Sequence, residues 1–223
     1  MQSEDAVSAS PLEGTGGSAP GTSRLKGFKG IVQTIALAGV VFLLITTSFQ
    51  NFQVEGISMT PNMQDGQFII VNKAAYRRID LSGWGDWVPF LDRNGDGSFT
   101  PFGSPKRGEV VVFSLDRQPG RNFIKRIIGL PGETIEIRRG EIIINGEPVT
   151  ERYLPLLDNR NIAPLVIPED HYFVMGDARV TSQDSRAFGP VRRDEIVGKA
   201  WVSYYPFGEF GVVDSNTPEF SEQ

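Results

Sequence analysis

The sequence predicts a mostly β fold, a domain of antiparallel sheets preceded by one transmembrane helix. Two observations predict this class. The run from Ile31 to Phe49 contains no charged residue, and from residue 67 onward short β-branched runs alternate with Gly, Pro and Asn. No long stretch after residue 50 has helical periodicity. The 223 residues suffice for one sizeable domain, whose sheets we expect to close into a barrel-like or two-sheet body.

Residues 1–29 are predicted to be a disordered tail and residues 30–49 a transmembrane helix. The first 23 residues are rich in Ser, Gly, Pro and Ala and cannot bury enough apolar surface to offset the entropy of ordering. About 20 apolar residues in a helix cross a hydrocarbon core of roughly 30 Å. A cleaved signal peptide is the alternative, but the apolar run is long and no A-x-A-like site follows it.

The basic residues near this helix predict its orientation. Arg24, Lys26 and Lys29 lie just before it, and the next basic residue is Lys73. Because basic residues stay on the cytoplasmic side, the tail is predicted to be cytoplasmic and residues 50–223 extracytoplasmic. We expect a single-pass protein of the cell membrane that contacts membrane lipid.

Seven segments of the exported part are predicted to be strands, because they are rich in β-branched and aromatic residues and end at turn residues. The predicted strands are 67–72, 109–114, 122–128, 134–138, 141–145, 171–175 and 197–205. Arg139-Gly140 and Asn145-Gly146 are predicted hairpin turns, since Gly and Asn tolerate positive φ.

Residues 77–106 are predicted to be a long inserted loop. They contain two of the three tryptophans and the string D-R-N-G-D-G-S-F-T. Asp92, Asn94 and Asp96 have the spacing of the first ligands of a calcium loop, but the twelfth position is Gly103 and no flanking helices are evident. Weak calcium binding and a plain acidic turn are both open.

Composition excludes several classes of function. The absence of cysteine excludes disulfides, thiol catalysis and thiolate-bound zinc. The net charge is -5 and no basic block interleaves with aromatic residues, so the sequence predicts no nucleic-acid partner. With a single histidine, an acyl-transfer enzyme would need an unusual nucleophile and base.

Ser58 and Lys125 are the candidate nucleophile and base. Ser58 lies in G-I-S-M-T-P, where Gly and Pro fix the backbone around one hydroxyl, and Lys125 lies in F-I-K-R-I-I-G-L-P-G-E. Strand alternation places Lys125 on one face with Phe123 and Ile127. Burial there would lower the pKa of the amine and free its lone pair. A lysine that extends into solvent is the alternative.

A third string, M-G-D-A-R-V-T-S-Q-D-S-R-A-F-G-P-V, occupies residues 175–191 and carries two Asp-Arg groupings. Asp184 and Arg186 could form an ion pair that braces a loop, and Ser182 or Ser185 could hydrogen-bond an amine. The alternative is a polar hairpin at the surface, where such ion pairs contribute little.

His171 is the rival base, because a Ser-His-Asp triad needs only one histidine. No serine lies in the G-x-S-x-G string that one large class of triad enzymes uses. A structural histidine at a strand edge is therefore the preferred interpretation.

Together the three strings resemble the type I signal peptidase family, membrane-anchored Ser/Lys endopeptidases that remove signal peptides. A fourth match, R-G-E-V-V-V-F at 107–113, resembles the family's first conserved strand. The match covers residues 31 to about 205, in the family's order and after a similar anchor. The resemblance implies an exported catalytic domain that cuts signal-peptide-bearing precursor proteins and needs no cofactor for catalysis.

By this resemblance Ser58 is the nucleophile and Lys125 the general base. The same resemblance implies small substrate pockets for Ala-like side chains at the first and third positions before the cut.

The resemblance also implies supporting roles for residues near this pair. Ser182 would orient the lysine amine, and Asp184 and Arg186 would form an ion pair near the site. Met59 would pack beside the nucleophile, close to an apolar edge that meets the membrane, and Arg126 would be structural.

The chain departs from the family pattern at three places. Gly56 stands where some members have a serine that helps to bind the oxyanion, so the Ser58 backbone N–H would carry most of that role. Ala178 replaces an asparagine, and the loop at 77–106 lengthens the connection between Ser58 and Lys125.

The alternative from another class is a non-enzymatic, membrane-tethered extracellular module that binds calcium. Such a module would have no use for both Ser58 and Lys125 in these strings.

Overall fold

The computed structural model describes residues 21–80, 98–100, 103–154 and 158–220. The helices in these ranges are α1 (Gly21–Ser48) and the short α2 (Ser185–Phe188). The strands in these ranges are β1 (Phe49–Gln53), β2 (Phe68–Asn72), β3 (Ile79–Asp80), β4 (Ser98–Phe99), β5 (Val110–Ser114), β6 (Asn122–Gly129), β7 (Thr134–Arg138), β8 (Glu141–Ile144), β9 (Glu147–Thr150), β10 (Ile162–Val166), β11 (His171–Met175), β12 (Val191–Arg192), β13 (Ile196–Tyr205), β14 (Gly211–Val212) and β15 (Glu219–Phe220). The predicted mostly β fold behind one apolar helix is confirmed.

Helix α1 contains a stretch, Lys29–Ser48, that is long and apolar enough to cross a membrane, with a mean hydropathy of 2.1. The helix begins at Gly21, inside the segment that we predicted to be a disordered tail at 1–29. Extending an existing helix costs little per residue, and Arg, Leu and Lys at 24–26 are good helix formers. The tail prediction for residues 1–20 lies outside the described residues.

The larger sheet has eight antiparallel strands. Its order is β1-β2-β13-β5-β6-β11-β12, with β14 paired to β13. Within the 77–106 segment, β3 pairs with β4 in a separate two-stranded sheet, so Asp80 lies opposite Ser98. Residues 81–97, which include Asp92, Asn94 and Asp96, lie outside the described residues.

The smaller sheet has five antiparallel strands in the order β10-β7-β8-β9-β15. Both predicted hairpin turns are present, with φ of 49° and 87° at Arg139 and Gly140 and 53° and 87° at Asn145 and Gly146. Two successive positive φ angles match the twist of the flanking strands.

Buried apolar side chains form three clusters. One lies beneath the Ser58 loop and contains Met59 and Met63. A second packs around Phe113 and Phe123 in the larger sheet. The third joins the two sheets and contains Ile128, Ile135, Ile137, Ile142, Ile144, Val149, Ile167, Phe173 and Met175. Because this third cluster spans both sheets, the smaller sheet is packed rigidly against strands β6 and β11.

Candidate active site

Ser58 lies in the connection between β1 and β2, which is held at both ends. The Val54 N–H donates to Gln67 O at 2.8 Å, and Met59, directly after the serine, is fully buried. The Ser58 carbonyl accepts a hydrogen bond from the Ala178 N–H at 3.1 Å. The loop is therefore fixed from below by the core and from behind by the 176–191 segment.

Lys125 lies in the middle of β6 with its Nζ 2.6 Å from Ser58 Oγ. The amine also donates to the Ile124 carbonyl at 2.8 Å. The sequence left open whether Lys125 is buried or extends into solvent. The residue is 4% exposed, so it is buried. The two strings thus bring a hydroxyl and a buried amine into hydrogen-bonding distance across 67 positions of the chain.

The surroundings of Lys125 favour the neutral amine. Burial lowers its pKa to about 8, the Asp184 and Asp177 carboxylates oppose that change, and the Arg121 guanidinium adds to it. A lysine in water has a pKa near 10.4 and is almost wholly charged at neutral pH. At a pKa of about 8 a substantial fraction of the amine can accept a proton.

Asp184 and Arg186 form the expected ion pair, with 2.7 Å between Oδ2 and Nη2 and both side chains fully buried. Burial alone would raise the pKa of the Asp184 carboxyl, but the Arg186 guanidinium, with help from the Gly176 N–H and Ser182, lowers that pKa overall. Asp184 also accepts from the Gly176 N–H at 3.0 Å. The carboxylate is therefore ionised beside Lys125.

Ser182 lies in this cluster, but its hydroxyl makes no hydrogen bond to the lysine amine. The buried Oγ has no partner of good geometry within the described chain, although it is close enough to Asp184 to help lower the pKa of that carboxyl. Ile124 O holds the amine instead. The role assigned to Ser182 by resemblance stays a prediction.

The backbone around Ser58 offers the Ser58 N–H as a donor for an oxyanion. Gly56 has a φ of 86° and donates its N–H to Asp65 Oδ1 at 2.7 Å. The Ser58 N–H donates to no acceptor among the residues that the structure describes. Ala178 lacks the asparagine amide, yet its carbonyl accepts from the N–H groups of Thr181 and Ser182, which closes the loop through the backbone.

A groove of about 720 Å³ leads to the pair. One wall is the chain from Gln50 to Ser58, the other is the chain from Gly120 to Lys125, and Thr181 and Gln183 close one side. Among the described strands, β1 is the terminal strand of its sheet and pairs only with β2. Its other edge therefore leaves backbone groups available to an extended chain.

The Arg126 side chain pairs with Asp177 and not with Ser58 or Lys125. Its guanidinium pairs with Asp177 through two bonds of 2.9 and 2.7 Å, and both side chains are 1% exposed. It also donates to the carbonyls of Gly108 and Asp214 and lies over the Tyr153 ring at 4.7 Å. These contacts support a structural role.

His171 forms no triad. Its Nδ1 lies 2.8 Å from the Glu169 carbonyl oxygen at the start of β11. In the described ranges, no group of three His, Asp or Glu side chains could hold a metal ion.

Several residues of the site carried no signal in the sequence. Ile124 contributes only its carbonyl, and Asp65 fixes Gly56 from nine positions away. Glu151 and Asp158 pair with the arginines of the 176–191 string from the smaller sheet. The arginines of this string predict that acidic partners lie nearby, but the sequence does not identify those partners.

A buried amine beside a hydroxyl, at the end of a groove with a free strand edge, is an arrangement typical of Ser/Lys acyl-transfer enzymes. A model of the family described as signal peptidase, peptidase S26, matches residues 28–205. The chain belongs to this family, and the resemblance noted from its sequence strings is confirmed.

Two named relatives, both at more than 30% identity, agree with this assignment. Signal peptidase I of Leptolyngbya laminosa is 32% identical and the match covers 81% of each chain. Signal peptidase I U of Bacillus subtilis strain 168 is 31% identical over 80% of this chain and 88% of the relative. A crystal structure of a signal peptidase I from Enterococcus faecalis V583 matches 44% of this chain and 97% of its own at 35% identity, with a TM-score of 0.38.

Gly176 provides a test of how tightly the site is packed. A Cβ on this residue would lie 2.2 Å from Ser182 Oγ and 2.5 Å from the Ser58 carbonyl oxygen. Gly176→Ala should displace the Ser58 backbone and lower kcat roughly a hundredfold, since a misplacement of about 1 Å costs that much. Gly208→Ala is the matched control, because a Cβ there meets nothing within 4 Å. A Gly176→Ala enzyme with unchanged kcat would show that the loop moves aside freely.

Proposed function

We propose that this protein is a single-pass, membrane-bound serine endopeptidase that removes N-terminal signal peptides from exported proteins. Ser58 is the nucleophile and Lys125 the general base. The observation that carries the proposal is the 2.6 Å separation of Ser58 Oγ from a buried Lys125 Nζ at the end of a groove. Family membership supports the same reaction class.

In this mechanism the neutral Lys125 amine takes the Ser58 proton as Oγ attacks a peptide carbonyl of the substrate. The Ser58 N–H donates to the oxyanion that forms, while Gly56 keeps its N–H on Asp65 and holds the loop. The lysine ammonium then gives its proton to the leaving amine. A water molecule, deprotonated by the neutral amine, hydrolyses the acyl-enzyme and releases the product.

The groove suits an extended peptide. A substrate strand could pair with the free edge of β1, and side chains before the cut would then alternate between the groove wall and solvent. Small residues at the first and third positions before the cut would let the peptide approach Ser58 closely. We therefore expect small-x-small sequences to be cleaved best.

The membrane anchor places the substrate. Helix α1 would cross the membrane with the N-terminus in the cytoplasm, and Ser58 is only nine residues after Phe49. Even an extended chain of that length reaches at most about 30 Å. The nucleophile would then work close to the outer membrane surface, where a signal peptide is held after export.

The direct test is cleavage of a purified precursor by the purified full chain in detergent. A precursor with Ala at the first and third positions before the cut should be processed, and one with Phe at both should not. Failure to process any precursor would contradict the proposed function. Calcium binding at residues 92–96 stays a separate prediction, and added calcium should leave cleavage unchanged.

The pH dependence of cleavage should report the Lys125 amine. Because only the neutral amine accepts a proton, kcat/KM should rise with pH, with a midpoint near the pKa of about 8. Arg121→Gln should move the midpoint to higher pH, since the Arg121 charge disfavours the ammonium. Arg117→Gln removes a nearby exposed arginine and serves as its control. A rate that falls through pH 8, or a midpoint near 10, would exclude this base.

A further inference from the structure

The described part of the connection between β9 and β10, residues 151–154 and 158–161, reaches from the smaller sheet to the 176–186 segment that follows β11. It is anchored on its own sheet: the Gly140 N–H of the β7–β8 turn donates to Arg160 O at 3.0 Å. A Cβ on Gly140 would lie 1.8 Å from the Asp158 carbonyl oxygen, so the chain passes directly over that turn. The two carboxylates of this connection, Glu151 and Asp158, both face arginines of the other segment.

Glu151 is connected to the Ser58 backbone through Arg179 and Gly176. Its carboxylate pairs with Arg179, and the two side chains are 3% and 1% exposed. The Tyr153 O–H donates to the same carboxylate oxygen and orients it. Arg179 in turn donates from Nε to the Gly176 carbonyl at 3.2 Å. Gly176 packs directly against the Ser58 carbonyl, so the position of this glycine sets the position of the nucleophile backbone.

Asp158 is connected to the surroundings of Lys125 through Arg186 and Asp184. Its carboxylate pairs with the fully buried Arg186, which also donates to Asp184 Oδ2 at 2.7 Å and to the Arg179 carbonyl at 2.8 Å. Arg186 is thus held between two carboxylates. Of the charges around Lys125, Asp184 acts most strongly on its pKa.

We propose that Glu151 and Asp158 are positioning residues for the proposed dyad, one for each member. Glu151 fixes the backbone behind Ser58 through Arg179, and Asp158 fixes the carboxylate beside Lys125 through Arg186. The inference rests on the proposed function, because it concerns the same pair of groups. The smaller sheet would then serve as the rigid base against which the two halves of the site are aligned.

The contacts of Asp158 predict its effect on pH dependence. Asp158→Asn removes the carboxylate that holds Arg186 opposite Asp184, and it also removes the partner of Arg160. The other charged groups that act on Lys125 are Asp177, which raises its pKa, and Arg121, which lowers it. Asp158 is not itself among these groups, so its effect runs through Arg186: when Arg186 is loosened, the Asp184 carboxylate is held less firmly beside Lys125. The lysine pKa should then fall, and the acid limb of kcat/KM should shift to lower pH. The position of this limb does not depend on how much enzyme is folded, which separates positioning from mere stability.

Glu151→Gln should give a different result. Arg179 does not appear among the groups that shift the lysine pKa, so the acid limb should stay in place while kcat falls roughly tenfold to a hundredfold with little change in KM. Glu136→Gln is the matched control: it removes a carboxylate from an arginine pair of the same sheet, away from the 176–186 segment. Its kcat and pH profile should equal those of the wild type.

A second variant covers the risk that Glu151→Gln destabilises the fold by leaving Arg179 buried and unpaired. Glu151→Gln combined with Arg179→Met leaves no unpaired charge at this position, so its thermal stability should recover while kcat stays low. If kcat recovers with stability, or if both single variants match the wild type in kcat and acid limb, the proposal is wrong.

An activity-independent measurement separates this proposal from the proposed function. Lys125 labelling by a small amine-directed acylating reagent, followed by mass spectrometry across pH, should show a midpoint near 8 in the wild type and a lower one in Asp158→Asn. If the wild type cleaves no precursor but the midpoints differ, the peptidase proposal fails and the link from Asp158 to Lys125 stands. Equal midpoints would overturn that link whatever the cleavage result.

Discussion

Ser58→Ala and Lys125→Met should each lower kcat/KM for precursor cleavage by about a thousandfold or more, because a nucleophile and its base act as one unit. For the same reason the double variant should be no slower than either single variant. Met nearly matches the length of the lysine side chain and fills the same buried space without an amine, so the loss should reflect chemistry rather than a cavity. The measurement is single-turnover cleavage of a small-x-small precursor by equal amounts of folded enzyme.

Two control variants make this result specific. Lys106→Met changes an exposed lysine, and Ser215→Ala an exposed serine, both outside the groove. Each should keep wild-type activity. A Lys125→Met enzyme that retains even a tenth of wild-type activity, or a double variant a thousandfold slower than both singles, would show that Ser58 and Lys125 do not act on one proton.

The strands at the centre of the fold could be predicted from the sequence because their local patterns are strong. Runs such as E-V-V-V-F-S have high β propensity and end at turn residues, and both hairpin turns carry a glycine at the position that needs one. Strand β1, F-Q-N-F-Q, was not predicted because it is polar and largely exposed, and its backbone pairing with β2 decides its conformation. Strands β9 and β10 contain proline and are mostly exposed, so their patterns are equally weak.

Some residues of the site could be predicted from the sequence and others could not. Ser58 and Lys125 could be proposed because each lies in a distinctive string, and the Asp184–Arg186 pair because its partners are only two positions apart. The partners of Arg126 and Arg179 could not be predicted. Asp177 lies two positions from Arg179, yet it pairs with Arg126, 51 positions away, while Arg179 pairs with Glu151. Closeness in the sequence therefore predicts an ion pair only when the fold brings no other oppositely charged side chain into contact with either residue.

Asp177→Ala should be the most destabilising single change in this network. It leaves the Arg126 guanidinium, which is 1% exposed, without its carboxylate. Breaking a buried pair in this way costs about 3–5 kcal/mol, or a decrease in Tm of roughly 6–20 °C for a domain of this size. The measurement is thermal unfolding in detergent, followed by circular dichroism of the sheets.

The control is Asp194→Ala, which removes a carboxylate from the exposed pair with Arg192, where the two side chains are 70% and 48% exposed. Solvent screens that pair, so its loss should change Tm by no more than about 2 °C. Arg126→Met added to Asp177→Ala should restore part of the lost stability, because no unpaired charge then stays buried at this position. Recovery should be incomplete, since the carbonyls of Gly108 and Asp214 lose the donor that Arg126 supplies. If Asp177→Ala unfolds at the wild-type temperature, Arg126 must reach solvent or another anion, and the segment that carries Asp177 is less firmly held than its contacts indicate.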